Sequence, residues 1–264
     1  MKLIKIPSSL GKLESRDGAE LAPDAVIDEL KNLYSSEEGF KVRFEVDAVQ
    51  VVKSNIDETN KNIFDKIFSA KDNFIAIGGD HSISYSCIKA FAQNHENVGL
   101  IIFDAHPDSM PRFSVPTHEN FLRTFIEEGV IKASNVILVG IRNSDPEELR
   151  FIHEKKINIF PMKEIGFEGK ESICDDIMSL AKNFDSLYLS IDIDAVDPAF
   201  APGTGYAEVG GLTSREIIYF IQRIKLIKNL KAIDIVEINP KFDRDNLTVK
   251  LGAKIVNELV TKAL

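Results

Sequence analysis

The sequence predicts an α/β protein of three layers, α-β-α, built on a central and mainly parallel sheet, and three observations carry that reading. Short apolar segments rich in Ile, Val and Phe alternate with amphipathic stretches of helical period, the pattern of repeated β-α units around a buried parallel sheet. Polar and ionisable residues gather immediately after several of the apolar segments, where open α/β sheets place their ligand sites. At 264 residues and 44% hydrophobic content, the chain is long enough to bury one sizeable core. No repeat, low-complexity tract or Gly/Ser linker divides it, so residues 1 to 264 read as a single domain.

The strands come first near Val42 to Val52, then at Phe74 to Ile77, Val98 to Phe103, Val136 to Gly140, Ile157 to Phe160, Leu187 to Ile191 and Ala232 to Val236. Each later one is a short, mainly apolar segment rich in Ile, Val, Leu and Phe and too short for a helix. Helices with one apolar face fall at Pro23 to Tyr34, Ser84 to Gln93, Pro146 to Lys155, Ser172 to Asn183, Ser214 to Ile224 and Val249 to Leu264. Asp145-Pro146 and Thr213-Ser214 supply N-terminal caps for two of them, since a short oxygen-bearing side chain satisfies first-turn N–H groups and proline fits the first helical position. The charged runs Ser35-Ser36-Glu37-Glu38 and Lys225 to Lys231 read as solvated faces.

A formal net charge of −9 makes the molecule repel phosphate backbones, which argues against a nucleic-acid partner. The two cysteines, Cys87 and Cys174, lie far apart without a CxxC spacing and read as buried free thiols, neither a disulfide framework nor a structural zinc site. The N-terminus MKLIKIPSSL has no sustained apolar region, and no apolar run approaches the ~20 residues of a membrane span. The expected setting is cytoplasmic, with no membrane contact.

Four segments follow strand candidates and carry chemistry: Gly78-Gly79-Asp80-His81-Ser82, Asp104-Ala105-His106-Pro107-Asp108, the stretch from Ser190 to Pro198 with Asp192, Asp194 and Asp197, and Glu237-Ile238-Asn239-Pro240. At a strand end, a spacing of two sends Asp104 and His106 the same way, and the loosening chain can bring Asp108 around. Asp192 and Asp194 repeat the spacing on another strand, and bare carboxylates that close repel unless a cation or proton lies between them. The second motif alone is equally a capped β-α turn; the two together point to metal. Four aspartates match the charge of two divalent ions. Carboxylates with two imidazoles and no thiolate suit a hard ion such as manganese better than zinc or copper, with iron or cobalt as substitutes.

These segments, in this order, resemble the arginase/agmatinase/formimidoylglutamase family of ureohydrolases. The resemblance also rests on Pro202-Gly203-Thr204-Gly205, Gly210-Gly211-Leu212 and Val236 to Pro240, covers roughly residues 70 to 264, and touches the N-terminal part weakly at Leu21-Ala22-Pro23. It implies a parallel sheet flanked by helices, a homotrimer or homohexamer, and two Mn2+ per subunit held by His81, Asp104, His106, Asp108, Asp192 and Asp194. It further implies that Glu237 binds the guanidinium of a small cationic guanidino substrate, that Asp108 takes a proton from the attacking water, and that His118 shuttles protons to solvent. The stretch His118 to Arg123 looks closest to microbial agmatinases, which would make agmatine the substrate and place the reaction in polyamine biosynthesis. Formimidoylglutamase, arginase and guanidinobutyrase are the alternatives within the family, and they turn on whether Arg112 enters the pocket to meet a carboxylate. A deacetylase-like hydrolase with one zinc, or a non-catalytic relative, is the alternative outside it. Two departures from the family pattern, Pro107 in the second motif and Gly205-Tyr206-Ala207-Glu208 in place of a proline-bearing stretch, line the approach to the site. Asp80 and Asp197 read as supporting or turn residues, Thr204 as shaping the pocket or its loop, and His95 and His153 as bystanders.

Overall fold

The computed structural model describes residues 2–13, 17–41 and 43–260. Its sheet contains β1 (Lys2–Lys5), β2 (Glu45–Ala48), β3 (Phe74–Ile77), β4 (Val98–Phe103), β5 (Val136–Val139), β6 (Asn158–Phe160), β7 (Ser186–Asp192) and β8 (Leu230–Val236). They lie in the order β2-β1-β3-β8-β7-β4-β5-β6, and every pairing is parallel. Successive strand residues point to opposite faces, and both faces are buried. Leu3, Ile75, Ile101, Ile137, Leu189 and Ile233 enter one core cluster; Ile4, Ala76, Leu100, Leu138, Tyr188 and Ala232 enter the other.

Helices cover both clusters. The first packs against α1 (Ala22–Leu30), α6 (Met162–Glu168), α7 (Lys170–Ala181), α8 (Ser214–Ile224) and α9 (Leu247–Val260), and the second against α2 (Ile56–Ala70), α3 (Ile83–Asn94), α4 (Phe121–Glu127) and α5 (Pro146–Lys155). The three-layer α-β-α expectation therefore holds. Both expected caps form as complete capping boxes, Asp145 with Glu148 and Thr213 with Glu216, each contributing about 1 kcal/mol.

Several expectations need amendment. Strand β1 was not anticipated because its apolar content is two residues, Leu3 and Ile4, fully buried between lysines whose ammonium groups reach outward to Asp47 and Asp24. Helix α2, α4 and α6 were also missed; α2 buries only Thr59, Ile63 and Ile67, too sparse a stripe to stand out. The early strand is shorter than Val42 to Val52, and Val42 itself, like the 261–264 end of the last helix, lies outside the described residues. The two charged runs are not simply solvated. Lys225 is 2% exposed, with its Nζ 3.0 Å from Glu38 Oε1 and donating to the Glu258 carbonyl, while Arg215 pairs with Glu37. Runs of opposite sign meet in space, which neither shows by itself.

The four strands that precede the motifs, β3, β8, β7 and β4, are contiguous in the middle of the sheet. Their register pairs Ile77 with Ile235, Ile235 with Ile191, and Ile191 with Phe103. The carboxyl ends are thus level, and the loops after them open side by side.

Candidate metal centre

Asp104 leaves β4 and Asp192 ends β7, one strand away. The His81 ring comes from the loop after β3, and its Nδ1 stands 3.1 Å from Asp104 Oδ2, 3.0 Å from Asp108 Oδ2 and 3.2 Å from Asp192 Oδ2. His106 Nδ1 lies 3.0 Å from Asp194 Oδ2 and 3.5 Å from Asp104 Oδ1. Two donor groups suited to a metal ion result, His81 with Asp104 and Asp192, and Asp104 with His106 and Asp194, so Asp104 is common to both. Asp108 and Glu237 have φ of 50° and 62°, a left-handed backbone that non-glycine residues adopt at a cost of roughly 1 kcal/mol or more. The fold holds both there, and the turn directs their side chains back into the same cavity.

A buried relay fixes the state of His81. Ser190 has one hydroxyl proton, and it donates to Asp234 Oδ1 at 2.6 Å, so its oxygen accepts from His81 Nε2, 3.0 Å away. In the neutral ring, Nδ1 is then a bare lone pair facing three carboxylates. Asp104 Oδ2 and His81 Nδ1 are buried without a hydrogen-bond partner among the described residues, and two facing acceptors at this distance call for a cation between them. The donor set therefore fits metal ions. Asp234 is fully buried and also accepts from Tyr188 and Ser84, both at 2.8 Å. Exchanging Asp234 for Asn removes the charge that holds this relay and is expected to weaken metal affinity about 10- to 100-fold. Titration of metal-stripped protein followed by calorimetry checks it; unchanged affinity would mean that the relay does not orient His81.

The electrostatics show the same demand for positive charge. Burial and the neighbouring Asp104 push Asp108 up to about 8, and burial with Asp194 and Asp104 pushes Asp192 well up. Burial opposes charge on His81 and His106, but the surrounding aspartates outweigh it and raise both. His118 is likewise driven up to about 9, burial being overcome by Glu237, Asp108 and Asp80. In its neutral form the ring accepts the Leu13 N–H at Nε2, 3.3 Å away, and carries its one proton at Nδ1, facing Glu237 Oε1 at 3.8 Å. The carboxylates press for a second proton whose charge cations in the same cavity would supply.

The cavity, of about 240 Å³, is lined by all the predicted site residues except the buried Asp104: His81, His106, Asp108, His118, Asp192, Asp194 and Glu237. Asp104 lies directly beneath them. No described lysine or arginine lines it, and Arg112 instead pairs with Glu128 at 3.0 Å on the exposed side of its loop.

With this geometry the comparisons agree. A protein-family model, described as the arginase family, matches residues 1–261. The chain belongs to the arginase family. An arginase of Staphylococcus aureus (strain MRSA252) is 28% identical over 99% of this chain and 97% of its own length. A mitochondrial agmatinase of Gallus gallus is 32% identical over 70% of this chain and 55% of its own. The crystal structure of formimidoylglutamase from Bacillus subtilis superimposes with a TM-score of 0.94 at 26% identity, over 99% of this chain and 86% of that one. As an arginase-family protein the chain is a hydrolase of carbon–nitrogen bonds in amidines and guanidines.

Membership of the arginase family extends through the first 70 residues, which the motifs barely reach. There the segment from Ser8 to Leu13 folds over the site: the Ser8 carbonyl accepts from the Asp80 N–H, the Asp80 carboxylate accepts from Gly11, and a Cβ on Gly79 would stand 2.0 Å from the Ser8 oxygen. Asp80 and Asp197 hold turns as expected, Asp197 by accepting from Ala199, Gly210 and Gly211. His95 Nε2 donates to the Lys71 carbonyl, away from the site. Sequence reasoning missed Asn143, Ser144 and Glu148, and gave Asp145 only a capping role. All four line the cavity, and their signal was the one that found the others, position shortly after a buried strand, β5. Glu148 is 6% exposed and accepts from the N–H groups of Ser109 and Asp145, tying α5 to the loop that follows Asp108.

Proposed function

We propose that this protein is a binuclear manganese hydrolase that converts agmatine and water to urea and putrescine. The observation that carries the choice of substrate is the cavity lining: carboxylates, imidazoles and neutral groups, with no described lysine or arginine, and Arg112 turned outward to Glu128. A substrate carboxylate would find no ammonium or guanidinium partner there. The relatives named above are an arginase, an agmatinase and a formimidoylglutamase at similar identities, so it is the pocket chemistry that favours a substrate cationic at both ends. Arginine, formimidoylglutamate and guanidinobutyrate all carry a carboxylate.

His81, Asp104, His106, Asp108, Asp192 and Asp194 would hold two Mn2+. When bound, the ions supply Lewis acidity that makes water a competent nucleophile near neutral pH. Glu237 presents its carboxylate to the guanidinium as a two-pronged acceptor while Oε1 also accepts from the His81 N–H at 2.7 Å. Guanidinium is resonance-stabilised and a poor electrophile, so rigid placement of its carbon carries much of the rate. Asp108 takes the proton that water sheds as the C–O bond forms. His118, within reach of Glu237 on one edge and of the cavity mouth on the other, delivers a proton to the departing amine as the C–N bond breaks. We read the working form as a cytoplasmic homotrimer or homohexamer.

Glu237→Gln keeps an oxygen for the His81 N–H but loses the charge, and kcat/KM should fall about 100-fold, measured as urea release at saturating metal. The test of the function is urea release from manganese-loaded enzyme given agmatine, arginine and guanidinobutyrate in parallel, with formamide release from formimidoylglutamate alongside. Turnover of agmatine in clear preference supports the proposal. Preference for a carboxylate-bearing substrate moves the assignment within the family, and silence on all four leaves a non-catalytic relative.

A further inference from the structure

We propose that Glu119, with the ring of Tyr206 beside it, forms the subsite that takes the cationic tail of the substrate whose guanidinium is held at Glu237. This rests on the guanidino-hydrolase reading above and names the residues that would decide among its substrates. His118 lies between the two carboxylates: Nδ1 is 3.8 Å from Glu237 Oε1 and Nε2 is 3.8 Å from Glu119 Oε1. The carboxylates are thus separated by no more than two such contacts and the width of one ring, a distance that a four-carbon chain with a cation at each end spans. Both line the one cavity.

Tyr206 closes the same space from the opposite loop. Its ring centroid is 5.6 Å from that of His106 and 5.8 Å from that of His118, and its hydroxyl donates to Glu119 Oε1 at 3.5 Å. An ammonium brought to Glu119 therefore meets a carboxylate with the hydroxyl end of an aromatic ring beside it, acceptors and apolar surface together suiting an alkylammonium group. The side chain of Glu119 is 37% exposed, so the contact is at the mouth, where a tail would lie.

Both loops are clamped before any ligand arrives. The Met110 N–H donates to the Glu119 carbonyl and the His118 N–H to that of Gly11, while Asn120 accepts from the Thr117 N–H and donates to the Pro111 carbonyl. On the other side the Arg142 guanidinium donates to the carbonyls of Asp194, Ala195, Glu208 and Val209, which ties the loop bearing Tyr206 to the loop bearing Asp194. The Asn143 amide donates one N–H to Glu208 Oε1 at 2.8 Å. Preorganised carboxylate and ring on fixed backbone favour selection of a cationic tail over accommodation of any tail.

The test compares agmatine with pentylguanidine, in which a methyl group replaces the ammonium, in manganese-loaded wild type, Glu119→Gln, Glu119→Asp and Tyr206→Leu. Taking the ratio of kcat/KM for the two substrates within each protein cancels losses from misfolding or poor metal loading. Wild type should favour agmatine; Glu119→Gln should lower the ratio about ten-fold or more, Tyr206→Leu about three-fold, and Glu119→Asp should retain most of it. A wild type that turns over agmatine while Glu119→Gln keeps the full ratio overturns the subsite and leaves the proposed function standing. A wild type that prefers pentylguanidine or guanidinobutyrate to agmatine overturns both.

Discussion

Exchange of Asp104 for Asn is expected to leave less than about a thousandth of the wild-type turnover, the several kcal/mol of transition-state stabilisation that a metal pair supplies, and, on the binuclear manganese reading proposed above, to reduce bound manganese from two ions per chain to at most one. Asp104 is the one residue common to both donor groups: Oδ2 faces His81, and Oδ1 faces His106 Nδ1 while accepting the His106 N–H at 2.6 Å. Asparagine has the same shape, and its carbonyl still accepts that N–H, so the turn survives. What it lacks is the charge and the second oxygen. Aspartates 192 and 194 each belong to one donor group, and replacing either should disturb one ion more than the other. Metal analysis after gel filtration, with urea release at saturating manganese, reads both consequences. Two tightly held ions in the Asn variant would show that Asp104 is not shared between them.

The reason so much of this was legible lies in where the information sits. Strands β3, β4, β7 and β8 are buried on both faces, so they write themselves as mainly apolar runs, and carboxylates and imidazoles directly after several such runs together are more than any one turn needs for its cap. Edge and near-edge strands write less: β2 (Glu45–Ala48) has a mostly exposed pattern and β1 offers two apolar residues. The supporting half of the site was hidden by ambiguity. Asp145 and Glu148 satisfy a helix cap as well as a cavity wall, so the cap was a sufficient explanation. Asp234 sits inside an apolar strand, where a carboxylate must find partners, and its donors Ser84, Tyr188 and Ser190 come from α3 and β7, distant in sequence. Glu119 and Tyr206 meet only because two loops fold over one cavity, a fact of tertiary structure that no local pattern carries.

Stripping the protein of metal is expected to lower its melting temperature by a margin that widens between about pH 6 and about pH 9. Asp108 holds its proton up to about 8 in the fold but sheds it near 4 when unfolded, so throughout that interval the folded chain binds the extra proton and stability falls as pH rises, by about 1.4 kcal/mol per pH unit for each such group. His118, raised to about 9, acts with the same sign: what it contributes is fully present below its unfolded value of about 6.5 and is lost as pH climbs through the folded one. Burial penalises charge on His106, but Asp104 and Asp194 raise it well beyond its ordinary value, so its loss extends to still higher pH. Asp104 itself, although burial works against it, is drawn below its ordinary value by His106 and His81, and the stability it confers disappears only in acid, outside this window. Metal ions reverse the trend, because they take the places of these protons and bind more tightly as the protons leave. At a thousand-fold excess over the dissociation constant they add about 4 kcal/mol, on the order of 10 °C for a chain of this size. Calorimetric melts with chelator and with manganese, at about pH 6, 7.5 and 9, measure the gap. A metal-free protein whose melting temperature rises across that range would mean that the carboxylates are not forced together in its fold, and the case for two cations between them would fall with it.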